Sequence, residues 1–350
     1  MLEQEKFQQF MNTALNEAAV TYHAALVVIG DKLGLYKALV AADGLTAVEL
    51  AQRTGTAERY VREWLASQTA GNYVMHDSAT DRYYLSPEQA FALVDSNGPD
   101  VPGLFCIASS VHHVEEKLTE AFRTGKGVDW GEHHSLMFHG VERFFRPGYA
   151  ANLVSSWIPA LDGLEAKLQH GARVADIGCG HGATTIIMAQ AYPKSTFVGF
   201  DFHAPSVERA RQLARQAGVA DRVTFEVAAA KSYPGKDYGL VTFFDCLHDM
   251  GDPIGAAAHV RETLSEDGAW MIVEPYAGDK LEENLTPVGR LYYSASTMIC
   301  TPASLSQEVG LALGAQAGEA RLREVVTAGG FTHFRRAAET PVNMIFEAKA

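Results

Sequence analysis

Apolar positions in the first forty residues recur at helical spacing. Phe7, Phe10, Met11, Leu15 and Ala18 follow a three-to-four interval, and 22–29 is a denser apolar stretch. The pattern predicts two helices over 3–40, with apolar faces that pack on another subunit or domain. Between 45 and 94 the periods change. Thr46 and Glu49 have the spacing of a capping box at a helix start, Gly55 turns the chain, and 58–69 presents Tyr60, Val61, Trp64 and Leu65 as a buried face. The segments 72–76 and 82–85 then alternate as short strands around a turn at 77–81. Helix, turn, helix and hairpin together predict a winged helix.

A breaker cluster, Asn97-Gly98-Pro99-Asp100-Val101-Pro102-Gly103, marks a boundary. Beyond it, 104–122 reads as helix and 125–140 as loop, and the aromatics Phe144, Phe145, Tyr149 and Trp157 read as core. From Gly171 onward, strand-length apolar runs alternate with helical segments. Strands are predicted near 173–176, 196–200, 222–227, 239–244 and 269–274, with helices near 183–191, 205–217 and 253–265. A helix near 318–329 and a strand pair at 331–339 and 341–349 close the chain. Right-handed crossovers turn such a series into a doubly wound parallel sheet with its ligand at the carboxyl ends of the strands. The predicted domains are 1–100, a helical bridge at 101–165, and 166–350.

The chemistry concentrates in the first of these crossovers, RVADIGCGHGATTIIMAQAYPKSTFVGFDF, from Arg173 to Phe202. Gly178, Gly180 and Gly182 alternate after a strand and before a helix, where backbone can approach a ligand and helix N–H groups are free. Asp201, at the end of the next strand, is placed to accept hydrogen bonds from a ribose diol. Gly178-x-Gly180-x-x-Ala183 satisfies a dinucleotide fingerprint, so a nicotinamide cofactor is one reading. Asp176 opposes it, because a carboxylate beside a pyrophosphate is repelled, whereas a ligand ammonium would suit it.

The run Asp176-Ile177-Gly178-Cys179-Gly180-His181-Gly182 resembles the first motif of class I S-adenosylmethionine-dependent methyltransferases. In that family the glycine turn lies under the methionine part of S-adenosylmethionine, and an acid placed like Asp201 binds the ribose. The resemblance covers about 140–350 and implies a Rossmann-like seven-stranded sheet with an antiparallel last strand. The stretch 45–94 in turn resembles the winged helix in front of many small-molecule methyltransferases, which implies dimerisation and a wall of the substrate pocket. Leu247-His248-Asp249 resembles the segment whose histidine is the general base of oxygen-directed members, and Glu274 matches the strand-end glutamate flanking that base. Met250 stands where those enzymes carry tryptophan, and no second flanking acid is identified. Phe244 and Asp245, where the fourth strand runs out at the cleft, are read as cofactor contacts. At the end of the third strand Ala229 replaces the aspartate that commonly binds the adenine amino group, which leaves adenine to backbone, Phe202 and Lys231.

These residues suit methyl transfer to oxygen. Displacement at a sulfonium depends on alignment. A hydroxyl attacks only as its proton leaves, and a neutral imidazole can take that proton. The same histidine segment also occurs in carbon-directed members, where it need not be a base. A long insertion at 276–316 with Tyr292, Tyr293 and Met298 reads as a lid over a small, aromatic or hydrophobic acceptor, joined by Tyr22, Phe105 and Phe138.

Charge and composition narrow the partners. A net charge of -13 opposes attraction to phosphates or anionic lipid. Within 45–95, four arginines face seven carboxylates, a net of -3, so a DNA reader or cofactor-sensing regulator is disfavoured. The four cysteines are scattered without a CxxC pair, and the charged start is unlike a secretory leader, which together predict a reducing cytoplasm. No apolar run reaches membrane-spanning length. Five histidines between His112 and His139 have no ligand spacing, so no metal is expected there or elsewhere. The expected protein is a homodimer acting on a small molecule.

Overall fold

The structure, a computed structural model, describes residues 2–350. The chain divides into two compact units: one holds residues up to Ser110 with Ser135–Pro147, the other Val111–His134 with Gly148–Ala350.

In the first unit 3–40 is helical as expected, as Gln4–Lys32 of 29 residues and the short Leu35–Val40, and both apolar stretches fall on the long helix. No glycine or proline falls between Ala18 and Tyr22, so nothing interrupts it. Its early apolar residues lie in the open, with Phe10 68% and Tyr22 78% exposed, while Val27 is fully buried. The capping box of Ala47–Thr54 forms as expected: the Glu49 N–H donates to Thr46 Oγ1 at 3.3 Å and the Thr46 N–H to Glu49 Oε2 at 2.9 Å. In Glu58–Ala70 the buried stripe is Val61, Trp64, Leu65 and Gln68. Tyr60, expected inside, is 81% exposed. The three-to-four spacing that runs through 61, 64, 65 and 68 leaves position 60 on the helix flank. Gln68 is a polar member of that stripe and takes a 2.6 Å hydrogen bond from Tyr36 Oη. The wing consists of β1 (Met75–Asp77) and β2 (Arg82–Tyr84), antiparallel, with Leu45 bridged to Tyr83 as a third edge.

The second unit is built on a seven-stranded sheet: β3 (Arg173–Ile177), β4 (Thr196–Asp201), β5 (Val223–Val227), β6 (Tyr238–Phe244), β7 (Leu264–Pro275), β8 (His333–Glu339) and β9 (Asn343–Lys349). Their order is β5-β4-β3-β6-β7-β9-β8; β3 to β7 run parallel, and β9 is antiparallel to both its neighbours. β6 is buried along its whole length, as a central strand covered on both faces must be. The chain leaves β3 towards β4 on one side and returns to β6 on the other. That reversal opens a crevice at the carboxyl ends of β3 and β6, the position of ligands in doubly wound sheets.

Two loop expectations change. The helix Ser135–Asn152 begins inside the span expected as loop, and Pro147 lies within it. The 276–316 insertion folds as Pro287–Ala295 and Thr301–Leu305 with a wide turn, Ser296–Cys300, between them.

Candidate functional site

β3 delivers its polypeptide to the crevice through three left-handed glycines: Gly178 at φ +69°, Gly180 at +51° and Gly182 at +77°. Two of them are packing sites. A Cβ on Gly178 would lie 2.8 Å from Cys246 Sγ, and one on Gly182 would lie 2.5 Å from the Phe225 ring. Gly180 is different: a Cβ there meets nothing within 4 Å. Its N–H donates to Asp201 Oδ2 at 2.9 Å, and Asp201 Oδ1 accepts the His203 N–H at 2.8 Å. Asp201 therefore stabilises the turn itself. Burial raises its pKa, while the two N–H bonds pull the other way. Phe202 beside it is 49% exposed, an aromatic face left to solvent.

Asp176 is 1% exposed, and its oxygens are taken by hydroxyls. Thr184 and Thr185 donate to Oδ2 at 2.7 and 2.5 Å, and Thr242 donates to Oδ1 at 3.0 Å. Burial pushes this carboxyl up to about 6 against the three hydroxyls. The carboxylate joins β3 and β6 to the helix Ala183–Ala191, a role that the spacing of the motif does not disclose.

Where β6 ends, Asp245 takes φ +49°, an unusual backbone for a non-glycine residue. Its carboxylate accepts from Tyr149 Oη at 2.7 Å and Asn343 Nδ2 at 2.8 Å. Burial and the nearby Glu274 push it up to about 7. Phe244 is buried with its ring 5.4 Å from that of Tyr149. Next comes His248, buried, with Nδ1 2.5 Å from Glu274 Oε2. The other glutamate oxygen accepts the Leu247 N–H at 2.9 Å, so the carboxylate is fixed before it meets the ring. The outward-facing Nε2 has Asp249 Oδ1 at 3.2 Å, and the Cys300 thiol also bonds to the ring. Burial opposes the imidazolium, but the carboxylates of Asp249 and Glu274 outweigh it and hold its pKa well above the ordinary 6.5.

Ala229 and Lys231 lie elsewhere on the rim. Ala229 is exposed, and its carbonyl accepts the Ser232 N–H at 3.0 Å. Lys231 is ion-paired with Glu308, and Asp252 is 3.8 Å away. The three threonines around Asp176, Asn343 and Cys300 were not singled out from sequence as site components, whereas Asp245 was, without its bonds to Tyr149 and Asn343. Asp249 was quoted only as part of a motif. Apart from the Thr184-Thr185 pair, which follows the glycines directly, these residues come from distant stretches and carry no local signal.

The carboxyl edge of the sheet thus gathers a glycine turn, a strand-end acid and a histidine–carboxylate pair. Residues 168–328 match the family of methyltransferase domains, and 21–94 match the Rv2258c-like winged HTH domain. The chain thus carries a methyltransferase domain behind an N-terminal winged helix. It is 29% identical over 197 residues to the 27-O-demethylrifamycin SV methyltransferase of Amycolatopsis mediterranei, covering 53% of this chain and 62% of that one. It is 30% identical over 133 residues to the demethylmenaquinone methyltransferase of Lactiplantibacillus plantarum, covering 37% and 55% of the two. The chain spans between 50% and 62% of the length of these first curated relatives. Human N-acetylserotonin methyltransferase in complex with SAM shares the fold over 97% of both chains, with a TM-score of 0.74 at 15% identity. The mitomycin 7-O-methyltransferase MmcR does so over 99% of both, with a TM-score of 0.71 at 17% identity.

The residues present fit S-adenosylmethionine. Open space over Gly180 leaves room for a ligand that a side chain would fill. Asp201 uses one lone pair of each oxygen on the turn and keeps the others for a diol.

Proposed function

We propose that the chain methylates a hydroxyl oxygen of a small, aromatic-bearing acceptor, with His248 as the general base. S-adenosylmethionine would supply the methyl group, leaving as S-adenosylhomocysteine when the sulfur keeps the electron pair of the broken bond. Gly178, Gly180, Asp201 and Phe202 would hold it, and Asp201 would bind the ribose. His248 would take the acceptor proton on Nε2 as the oxygen attacks, while Glu274 holds Nδ1–H and stabilises the cation formed. The supporting observation is the 2.5 Å His248–Glu274 contact, which occupies Nδ1 and orients the ring, so that Nε2 is the nitrogen left for a proton.

One observation favours a second reading. The two carboxylates favour the protonated ring, which suits methylation of carbon or nitrogen, where His248 would anchor charge and accept no proton. The variant His248→Ala separates the two. Loss of turnover by about 100-fold or more, with S-adenosylhomocysteine affinity retained in calorimetry, is the result expected for a base. Retained turnover would leave only the second reading.

We place the enzyme in the cytoplasm as a homodimer. The apolar residues exposed along Gln4–Lys32 support dimerisation, because a single helix face of this kind is stable when covered. The charge of the winged helix supports no nucleic-acid partner, and no helix among the described residues is long and apolar enough to cross a membrane.

A further inference from the structure

The structure brings two further donors, Asp249 and Cys300, against His248. His248, Asp249 and Cys300 each offer one ligand atom, and these atoms lie within 4.8 Å of one another. Cys300 arrives from the wide turn Ser296–Cys300 of the insertion, so no sequence spacing announces the group. We infer that His248 Nε2, Asp249 and Cys300 Sγ form a binding site for a borderline-soft divalent cation, zinc by preference, which blocks the catalytic nitrogen.

Three observations carry this. The ring of His248 is already oriented as metal-ligating histidines are: Nδ1–H donates to Glu274 at 2.5 Å and leaves Nε2 for an ion. Asp249 Oδ1 is a buried oxygen that meets no donor at hydrogen-bonding angles, although His248 Nε2 is 3.2 Å away. A buried carboxylate oxygen held by an ion pair without a well-aligned hydrogen bond is costly, and a cation would satisfy it. The third ligand is a buried cysteine outside any disulfide, and sulfur with imidazole selects zinc over magnesium or calcium. Rotation of the Asp249 and Cys300 side chains can close this set onto one ion at ~2.0–2.3 Å, with a fourth position left for water.

Binding displaces the proton from the Cys300 thiol and from His248 Nε2 and releases both to solvent; no electrons move. The affinity therefore rises with pH. The proposed blockade of turnover rests on His248 acting as the base, whereas the binding itself does not.

The test uses the full-length protein, freed of metal by chelation and titrated with Co2+ and then with Zn2+. One equivalent of Co2+ should produce a thiolate-to-cobalt charge-transfer band that Zn2+ displaces. Cys300→Ser should abolish the band while leaving the melting temperature and S-adenosylhomocysteine affinity near wild type. Glu274→Gln should weaken Zn2+ by about 10–100-fold through loss of the outer hydrogen bond. No band in the wild type, or an equal band in Cys300→Ser, would overturn the site. A band lost in Cys300→Ser, with turnover unaffected by Zn2+, would keep the site and reject His248 as the base.

Discussion

At the scale of single residues, His248 sets the expected pH behaviour. Burial disfavours its charge, but Asp249 and Glu274 raise its pKa well above 6.5. If the ring must be neutral to accept a proton, turnover rises with pH and its acid limb lies well above the ordinary histidine value. Asp249→Asn removes one raising carboxylate and should move that limb to lower pH, read from kcat/KM profiles. A limb that does not move would show that Asp249 does not act on the ring. Stability carries the opposite sign. The folded state binds this proton more tightly, so the contribution is full below the unfolded pKa and is lost as pH rises through the folded one. The second flanking acid that sequence alone did not identify is Asp249, adjacent to the histidine in the same motif. The motif was legible; the approach of that carboxylate to Nε2 depends on the short turn Leu247–Asp249.

Among the elements, the glycine turn divides into packing and ligand-facing positions, and substitutions should separate them. Gly180→Ala meets open space and costs only its left-handed backbone, about 1–2 kcal/mol. It should still lose S-adenosylhomocysteine affinity, by about tenfold or more, because the added methyl fills the ligand's space. Gly182→Ala meets the same backbone penalty and drives a Cβ to 2.5 Å from Phe225, so it should lower the melting temperature considerably further. Equal effects of the two substitutions on melting and on affinity would contradict this division. The spacing of the three glycines told a strand–turn–helix unit apart from other elements, but not one glycine from another. That difference comes from Phe225 on β5 and Cys246 after β6, neighbours only in the folded sheet.

For the whole molecule, charge and exposed apolar surface make the prediction. The chain should sediment as a dimer, and Phe10→Asp with Tyr22→Asp should yield monomer while the melting of the catalytic unit is retained. A wild-type monomer at micromolar concentration would remove the dimer from the proposal. The helix boundaries here were partly legible. The apolar spacing over 3–40 identified helix but not its break at Leu33-Gly34, because the spacing of apolar residues marks faces rather than ends. Tyr60 was misplaced for a related reason: an aromatic ring at the edge of a stripe reads as core until packing leaves it outside.

The sequence by itself determined the alternation of strands and helices, the glycine turn with its following acid, and the class of methyl donor. Each of these depends on contiguous residues whose period or spacing is local physics. Only the tertiary structure decided what surrounds the chemistry. It put three threonines on Asp176, tied Asp245 to Tyr149 and Asn343, and brought Cys300 against the buried His248. Those contacts join residues from separate crossovers and an insertion, and a contact of that kind exists only once the sheet has ordered its strands.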